Sequence, residues 1–204
     1  DRIVPKVAES LFIAWAGTVI GAVFSFPVSF LAANNTSINA ISRVTKQILN
    51  IIRAFPELIL AFVLLPVTGL GPLTGTLAVG IHSIGTLGKL SSEVIEGIDE
   101  GPLESIKSSG GSKLNELFFG VVPQVMPTIT SYWLYRFEIN LRASAVLGVV
   151  GAGGVGAELI NQLRFRDFPR AGTVLVVTIL MVLIVDTISA AIRRRIIKGR
   201  SIKV

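Results

Sequence analysis

The chain has 204 residues, of which 51% are hydrophobic and only 16% charged, with a mean hydropathy of +0.71 and a formal net charge of +6. An ordinary globular domain carries about 25% charged residues, so the composition excludes an ordinary soluble domain and points to the lipid bilayer. With no cysteine and a single histidine, His82, disulfides, thiolate metal sites and histidine metal clusters are excluded as well.

Three charge-free runs, residues 10–42, 58–88 and 117–135, each reach the roughly 17 to 25 residues that a helix needs to cross hydrocarbon. Two more, residues 143–157 and 171–185, are shorter and need polar neighbours at their ends. Residues 1–9 are polar and lack the basic start, apolar stretch and small-residue cleavage site of a secretory signal.

Residues 7–33 read as the first span, with Gly17, Gly21 and Pro27 inside it, tolerable where a neighbouring helix packs closely. Asn34-Asn35-Thr36-Ser37 is a turn with a helix-capping residue, after which residues 38–67 read as a second helical region. There Arg53 and Glu57 stand four apart on one face, placed to neutralise each other, with a transport role as the alternative. Residues 68–72 form a tight turn and residues 73–96 the third span, in which His82 beside Ser83 is expected to be packed or hydrogen-bonded rather than a proton relay.

Residues 93–127 are the longest charged, water-compatible stretch between two apolar blocks. Gly101-Pro102 breaks one helix and fixes φ for the first turn of another, so residues 103–109 form a short amphipathic helix that Gly110-Gly111 ends. Residues 114–122 start a new apolar helix, interrupted by Pro123 and Pro127. A short helix held between two spans at the membrane surface is suited to being gripped by another protein.

The fourth span covers residues 121–150 and carries Arg136, Glu138, Asn140 and Arg142. Charges in a span are expensive and usually face the bundle interior. Glu138 and Arg142 are spaced to pair, and so are Arg136 and Asn140. If Glu138 neutralises one arginine, the other is left over; a structural salt-bridge network is the alternative. Tyr132, Trp133 and Tyr135 are interfacial anchors or pore lining.

Gly151-Ala152-Gly153-Gly154-Val155-Gly156 satisfies G-x-G-x-x-G, a dinucleotide fingerprint on local pattern. A Rossmann site also needs a βαβ unit and an acidic ribose ligand about 20 residues on. Here Asp167 comes too early and Asp186 lies inside an apolar span, so the glycines read as a turn allowing close backbone approach at the outer mouth of a pore. Residues 151–170 form a polar external loop with a short helix at 157–164, and residues 171–193 the last span. Asp186 in that span is expected to find its partner on another helix or on a second subunit.

The placement of the basic residues decides between nucleic-acid binding and the positive-inside bias of a membrane protein. Arg193, Arg194, Arg195, Lys198, Arg200 and Lys203 follow the last apolar run, and Arg43 and Lys46 follow the first. Both clusters fit cytoplasmic anchors, whereas a nucleic-acid reader needs a soluble basic domain. With a cytoplasmic C-terminus, the 93–127 segment and the turn at Asn34 are inside, while the turn at Thr68 and the 151–170 loop are outside; Arg164, Arg166 and Arg170 oppose this orientation. Asp1 then falls outside, which leads to the expectation of an earlier span ahead of it.

The series Glu104-Ser105-Ile106, three residues, Gly110, then Gly120-Val121-Val122-Pro123 resembles the EAA loop of ABC-importer permeases, written E-A-A, three residues, G, nine residues, I-x-L-P. Ser105 and Ile106 replace the alanines and Gly120 the isoleucine. Tyr135-Arg136-Phe137-Glu138-Ile139-Asn140-Leu141-Arg142 followed by Val149-Val150 and the glycine loop is similar to the phosphonate/phosphite importer permeases, and the likeness covers residues 40–204.

This resemblance implies an all-α, polytopic helical bundle with about five spans and a short cytoplasmic coupling helix, forming one permease domain over residues 1–204 of a bacterial inner-membrane protein. It further implies a homodimer with the path at the subunit interface, two separate ATP-binding cassette subunits holding ATP and Mg, and an extracytoplasmic substrate-binding protein. No cofactor or nucleic acid is expected in this chain. Leu103, Glu104, Ser105, Ile106, Lys107 and Gly110 become the ATPase-coupling residues, with Glu104 and Lys107 giving polar contacts and Leu103 and Ile106 an apolar face. A spare guanidinium at Arg136 or Arg142 would attract a phosphonate oxygen. No Walker-type phosphate loop is present, and His82 has no local acid and nucleophile, so the chain itself is not expected to be an enzyme. An amino-acid permease, an ATP-independent channel and a membrane-embedded NAD-binding enzyme are the alternatives.

Overall fold

A computed structural model describes residues 3–198, so Asp1 and the basic residues Arg200 and Lys203 lie outside the described residues. The chain is all-helical there: α1 Ile3–Ala32, α2 Asn39–Ala54, α3 Glu57–Thr68, α4 Pro72–Glu96, α5 Gly101–Ser108, α6 Lys113–Asn115 running into a π-helical turn Glu116–Val121, α7 Val122–Leu147, a 3-10 turn Gly148–Val150, α8 Gly154–Arg164 and α9 Phe168–Lys198.

The stretches Ile3–Ala32, Lys113–Arg164 and Phe168–Ile197 are each long and apolar enough to cross a membrane, and α2 and α3 pass the same test as one bent pair. Helix α4 falls short of that hydropathy because glycine, serine and threonine line it. It is nonetheless enclosed by α1, α2, α3 and α7. A helix wrapped in protein need not be apolar toward lipid, and counting α4 gives the expected five crossings.

Small residues set this enclosure. Gly17 and Gly21 of α1 lie against Val79, Gly80 and Ser83 of α4, and a methyl group at either glycine would overlap Val79 or Ser83. On the other side of α4, Gly85 receives Ile52 and the Arg53 backbone, and Gly88 receives Leu49. In lipid, where apolar burial gives little, close backbone approach and van der Waals contact are what hold helices together.

The second helical region is not one helix. It bends by 88° between α2 and α3. Phe55 precedes a proline and is extended (φ −81°, ψ 121°), as the clash with the proline ring requires. Conversely, the prolines expected to interrupt the fourth span do not break it. Pro123 sits in the first turn of α7, where its missing N–H is tolerated, and the backbone widens into the π turn just ahead of it.

Two ends of the bundle are distinct. At one, the turn after α1 is tied to the end of α4 by Asn34 N donating to Glu96 (2.8 Å), Asn35 Nδ2 donating to the Ile95 carbonyl (2.7 Å) and the Lys46–Glu96 ion pair (2.6 Å); α5 lies at this end. At the other, α8 packs over α1 and α9, with Val155 N donating to Ser10 Oγ (3.0 Å). The glycine loop joins α7 to α8 here. Gly151, Gly153 and Gly154 have φ of 76°, 82° and 70°, a region that favours glycine. Among the described residues there is no strand, so the loop belongs to no βαβ unit and the dinucleotide pattern is a helix connection.

Candidate functional site

The exposed segment and a buried polar cluster form the two candidate regions. Helix α5 projects from its end of the bundle, begun by Asp99 Oδ1 accepting from Gly101 N (3.0 Å) with Pro102 in the first turn. Gly110 ends it at φ 77°, and Gly111 N donates to the Ile106 carbonyl (2.9 Å). Gln124 of α7 fastens both flanks. Its carbonyl accepts from Asp99 N (3.0 Å), and its amide donates to Asp99 O (3.1 Å) and Gly120 O (3.0 Å).

The faces of α5 are divided differently from the expectation. Leu103 and Ile106 are half-buried and lie over Gly120, so the apolar pair is used by the chain's own bundle. Lys107 reaches Glu116 (3.7 Å). Glu104 and Ser105 are exposed, and beside Ser105, Ile106 and Gly110 a shallow hollow of about 400 Å³ extends to Asn115 and Phe119.

The second region lies midway along the bundle. Arg136 of α7 is 5% exposed at its side chain; its Nε donates to Ser83 Oγ (2.9 Å), and Nη2 donates to Glu57 Oε1 (3.0 Å) and meets His82 Nδ1. His82 Nδ1 also lies 2.9 Å from Glu57 Oε1, and its Nε2 is 3.3 Å from the Arg53 carbonyl. Asn140, one turn on, donates to Thr18 Oγ1 (2.9 Å) and Ser83 Oγ (3.0 Å). Helices α1, α3, α4 and α7 thus meet through one hydrogen-bonded network, and a buried network of this kind specifies a unique packing when its members are satisfied.

The remaining polar residues of α7 pair with α9. Glu138, buried, lies 2.9 Å from Arg193, whose guanidinium also stands over the Tyr135 ring at 5.4 Å. Arg142 donates to both oxygens of Asp186 (3.1 and 2.9 Å) and is half exposed. None of the three expected local pairs forms: Glu138 does not hold Arg142, Arg136 does not bond Asn140, and Glu57 holds Arg136 instead of Arg53. Arg136 and Arg142 are both paired, so neither is a spare guanidinium in this structure. Asp186 does find its partner on another helix, and His82 is hydrogen-bonded as expected. Trp133 packs edge-on to Phe26, with ring centroids 6.3 Å apart, while Tyr135 is exposed. Glu57, Ser83, Thr18 and Arg193 were not among the expected site residues. Glu57 was signalled by its spacing to Arg53, while the signal for the other three was a polar residue in an apolar or basic run.

Among the described residues, no group of histidine, cysteine, aspartate and glutamate is placed to hold a metal ion. A profile of the family described as binding-protein-dependent transport system inner membrane component matches residues 25–198. The chain is 40% identical over 187 residues to the phosphite transport system permease protein PtxC of Stutzerimonas stutzeri, covering 91% of this chain and 68% of that one. It is 41% identical over 194 residues to the phosphate-import permease protein PhnE of Mycolicibacterium smegmatis, covering 95% of this chain but only 36% of the relative. It is also 45% identical over 121 residues to the putative cryptic phosphonate transport system permease protein PhnE2 of Escherichia coli, covering 59% and 99%. The fold matches the inward-facing MetNI methionine ABC transporter with a TM-score of 0.80 at 21% identity, over 93% of this chain and 94% of that one. An amino acid ABC transporter with histidines gives a TM-score of 0.77 at 20% identity, over 95% and 93%.

Proposed function

The chain belongs to the family of binding-protein-dependent transport system inner membrane components, and on that premise we propose that it forms the membrane path of an ATP-driven importer for phosphite, phosphonate or phosphate. It is a multi-pass component of the bacterial inner membrane and not itself an enzyme. The observation that carries the substrate class is the 40% identity to a phosphite permease across 91% of the chain. In this reading two copies assemble around the path, two separate subunits hold ATP and Mg and hydrolyse the nucleotide, and an extracytoplasmic binding protein delivers the anion.

Leu103, Glu104, Ser105, Ile106, Lys107 and Gly110 form the coupling segment. Leu103 and Ile106 seat it on its own bundle, while Glu104 and Ser105 face the ATPase. What makes α5 a lever is its attachment: it links the end of α4 to the start of α7, and these two helices carry His82, Ser83, Arg136 and Asn140. A push on α5 therefore reaches the polar cluster through two rigid helices, as a two-state switch requires. Arg136, Glu138, Asn140 and Arg142 hold the wall beside which the path runs.

The test is capture of the cognate ATPase subunit in mild detergent, with phosphite uptake measured in liposomes carrying the reconstituted complex. Wild type is expected to retain the ATPase, and Glu104→Arg to lose it while remaining monodisperse and helical. A wild-type chain that captures no ATPase would favour an ATP-independent channel. Capture with uptake of an amino acid but no phosphorus oxyanion would move the substrate class.

A further inference from the structure

We infer that Arg53, at the break between α2 and α3, is the cationic residue that meets the transported anion, and that Gln47 and Asn50 extend its polar track toward the α5 end. The inference rests on the importer reading above and adds residues that the paired arginines of α7 leave open.

Depth comes first. The Arg53 backbone packs on Gly85, the middle of α4, and its carbonyl accepts from His82. A helix of 25 residues is about 37 Å long against a hydrocarbon core of about 30 Å. Its middle therefore falls within the hydrocarbon wherever the bilayer is set along it. At this level Arg53, Ala54, Phe55 and Pro56 are all exposed on the protomer. A broken backbone with an exposed charge at its edge does not persist against lipid; it lies where protein covers it or water fills a cavity.

The faces of α2 then separate the two surroundings. Ser42 and Leu49 are buried, with Ile52 lying over Gly85. Ile41, Val44, Ile48, Ile51 and Phe55 recur at intervals of three and four and make one exposed apolar stripe, suited to lipid or a second copy. Arg43, Gln47, Asn50 and Ala54 recur in the same way on a different exposed stripe, ending beside Arg53. A polar stripe running from the break to the start of α2 is the surface that a water-filled path leaves exposed.

Depth and chemistry together select Arg53, since Arg43, also without an ion pair among the described residues, stands near the start of α2 and away from the break. Among the described residues the Arg53 guanidinium makes no ion pair with any carboxylate, unlike Arg136, Arg142 and Arg193. A planar guanidinium in a low-dielectric surrounding suits two oxygens of a phosphorus oxyanion through paired N–H bonds, a geometry that lysine lacks. Copies related by a two-fold axis would present one such group each.

The decisive experiment uses the complete transporter in proteoliposomes, with phosphite and inorganic phosphate as probes. Arg53→Ala is expected to raise the apparent KM for uptake about ten- to hundred-fold, the loss of one charged hydrogen-bonded contact. Arg53→Lys should recover part of this, and Arg194→Lys, exposed near the end of α9, should change KM less than three-fold. An unchanged KM in Arg53→Ala overturns the assignment. Because the chain has no native cysteine, Asn50→Cys and Gln47→Cys report access directly. Each should react with a charged thiol reagent from the ATPase side without nucleotide, and lose at least ten-fold of that rate when trapped with ATP and vanadate. A rate equal in both states makes the stripe a permanently solvated face and overturns the track. This second arm needs no knowledge of the substrate, so failure of the phosphorus-anion reading and failure of this inference are told apart.

Discussion

Arg136 makes the clearest residue-scale case. Its charge is buried and balanced by Glu57 from an element 79 positions away, with His82 and Ser83 completing the shell. Removing one partner of a buried pair leaves the other uncompensated, at about 3–5 kcal/mol when nothing else compensates. Glu57 is partly exposed and keeps His82, so Arg136→Ala should destabilise by about 2–3 kcal/mol. Thermal melting in detergent checks this, and a cycle with Glu57→Gln should show a coupling of about 1–2 kcal/mol; additive losses would mean that the two do not act as a unit. The sequence identified Arg136, Glu138, Asn140 and Arg142 as constrained because a charge in a span stands out in one dimension. Their partners were not legible, since neighbours at i and i+4 were the only pairs that spacing could offer, and the real partners lie on α1, α3, α4 and α9.

At the scale of elements, glycines decide where helices touch, and two of them give opposite predictions. A methyl group on Gly156 would overlap the Ala145 carbonyl, a backbone atom that cannot swing aside. Gly156→Ala should cost about 1–3 kcal/mol and loosen α8 from the end of α7. Gly172 of α9 has nothing beyond its own stretch of helix within 4 Å of the same position. Gly172→Ala should therefore raise the melting point, by about 0.5–1 kcal/mol in helix propensity. Equal gains in both variants would show that helix propensity rather than contact governs these sites. The spans themselves were legible to within a few residues because hydrophobic length is a local property. The 88° bend was not, although Pro56 marked its place. Proline signals a boundary, but the direction of the next helix is set by what Leu58, Leu60 and Leu64 pack against, which includes Val79 and Leu147.

On the scale of the whole molecule, the proposed coupling requires an exposed helix at one end to act on a polar cluster some way along the bundle. Helix α5 alone could move without consequence if its flanking segments were slack. Gln124 removes that slack by binding Asp99 ahead of α5 and Gly120 behind it, so both flanks move with α7. Its three hydrogen bonds span the base of the lever and none reaches the outward face that carries Glu104. Gln124→Ala should therefore leave capture of the ATPase intact while the flanks of α5 separate under load. The expected outcome in proteoliposomes is basal ATP hydrolysis within about two-fold of wild type and a fall of about five-fold or more in anion imported per ATP, since each neutral hydrogen bond lost contributes roughly 0.5–1.5 kcal/mol. An unchanged transport ratio would mean that force passes through the apolar seat of Leu103 and Ile106 on Gly120 instead. A matching loss of ATPase capture would place Gln124 in the docking surface itself.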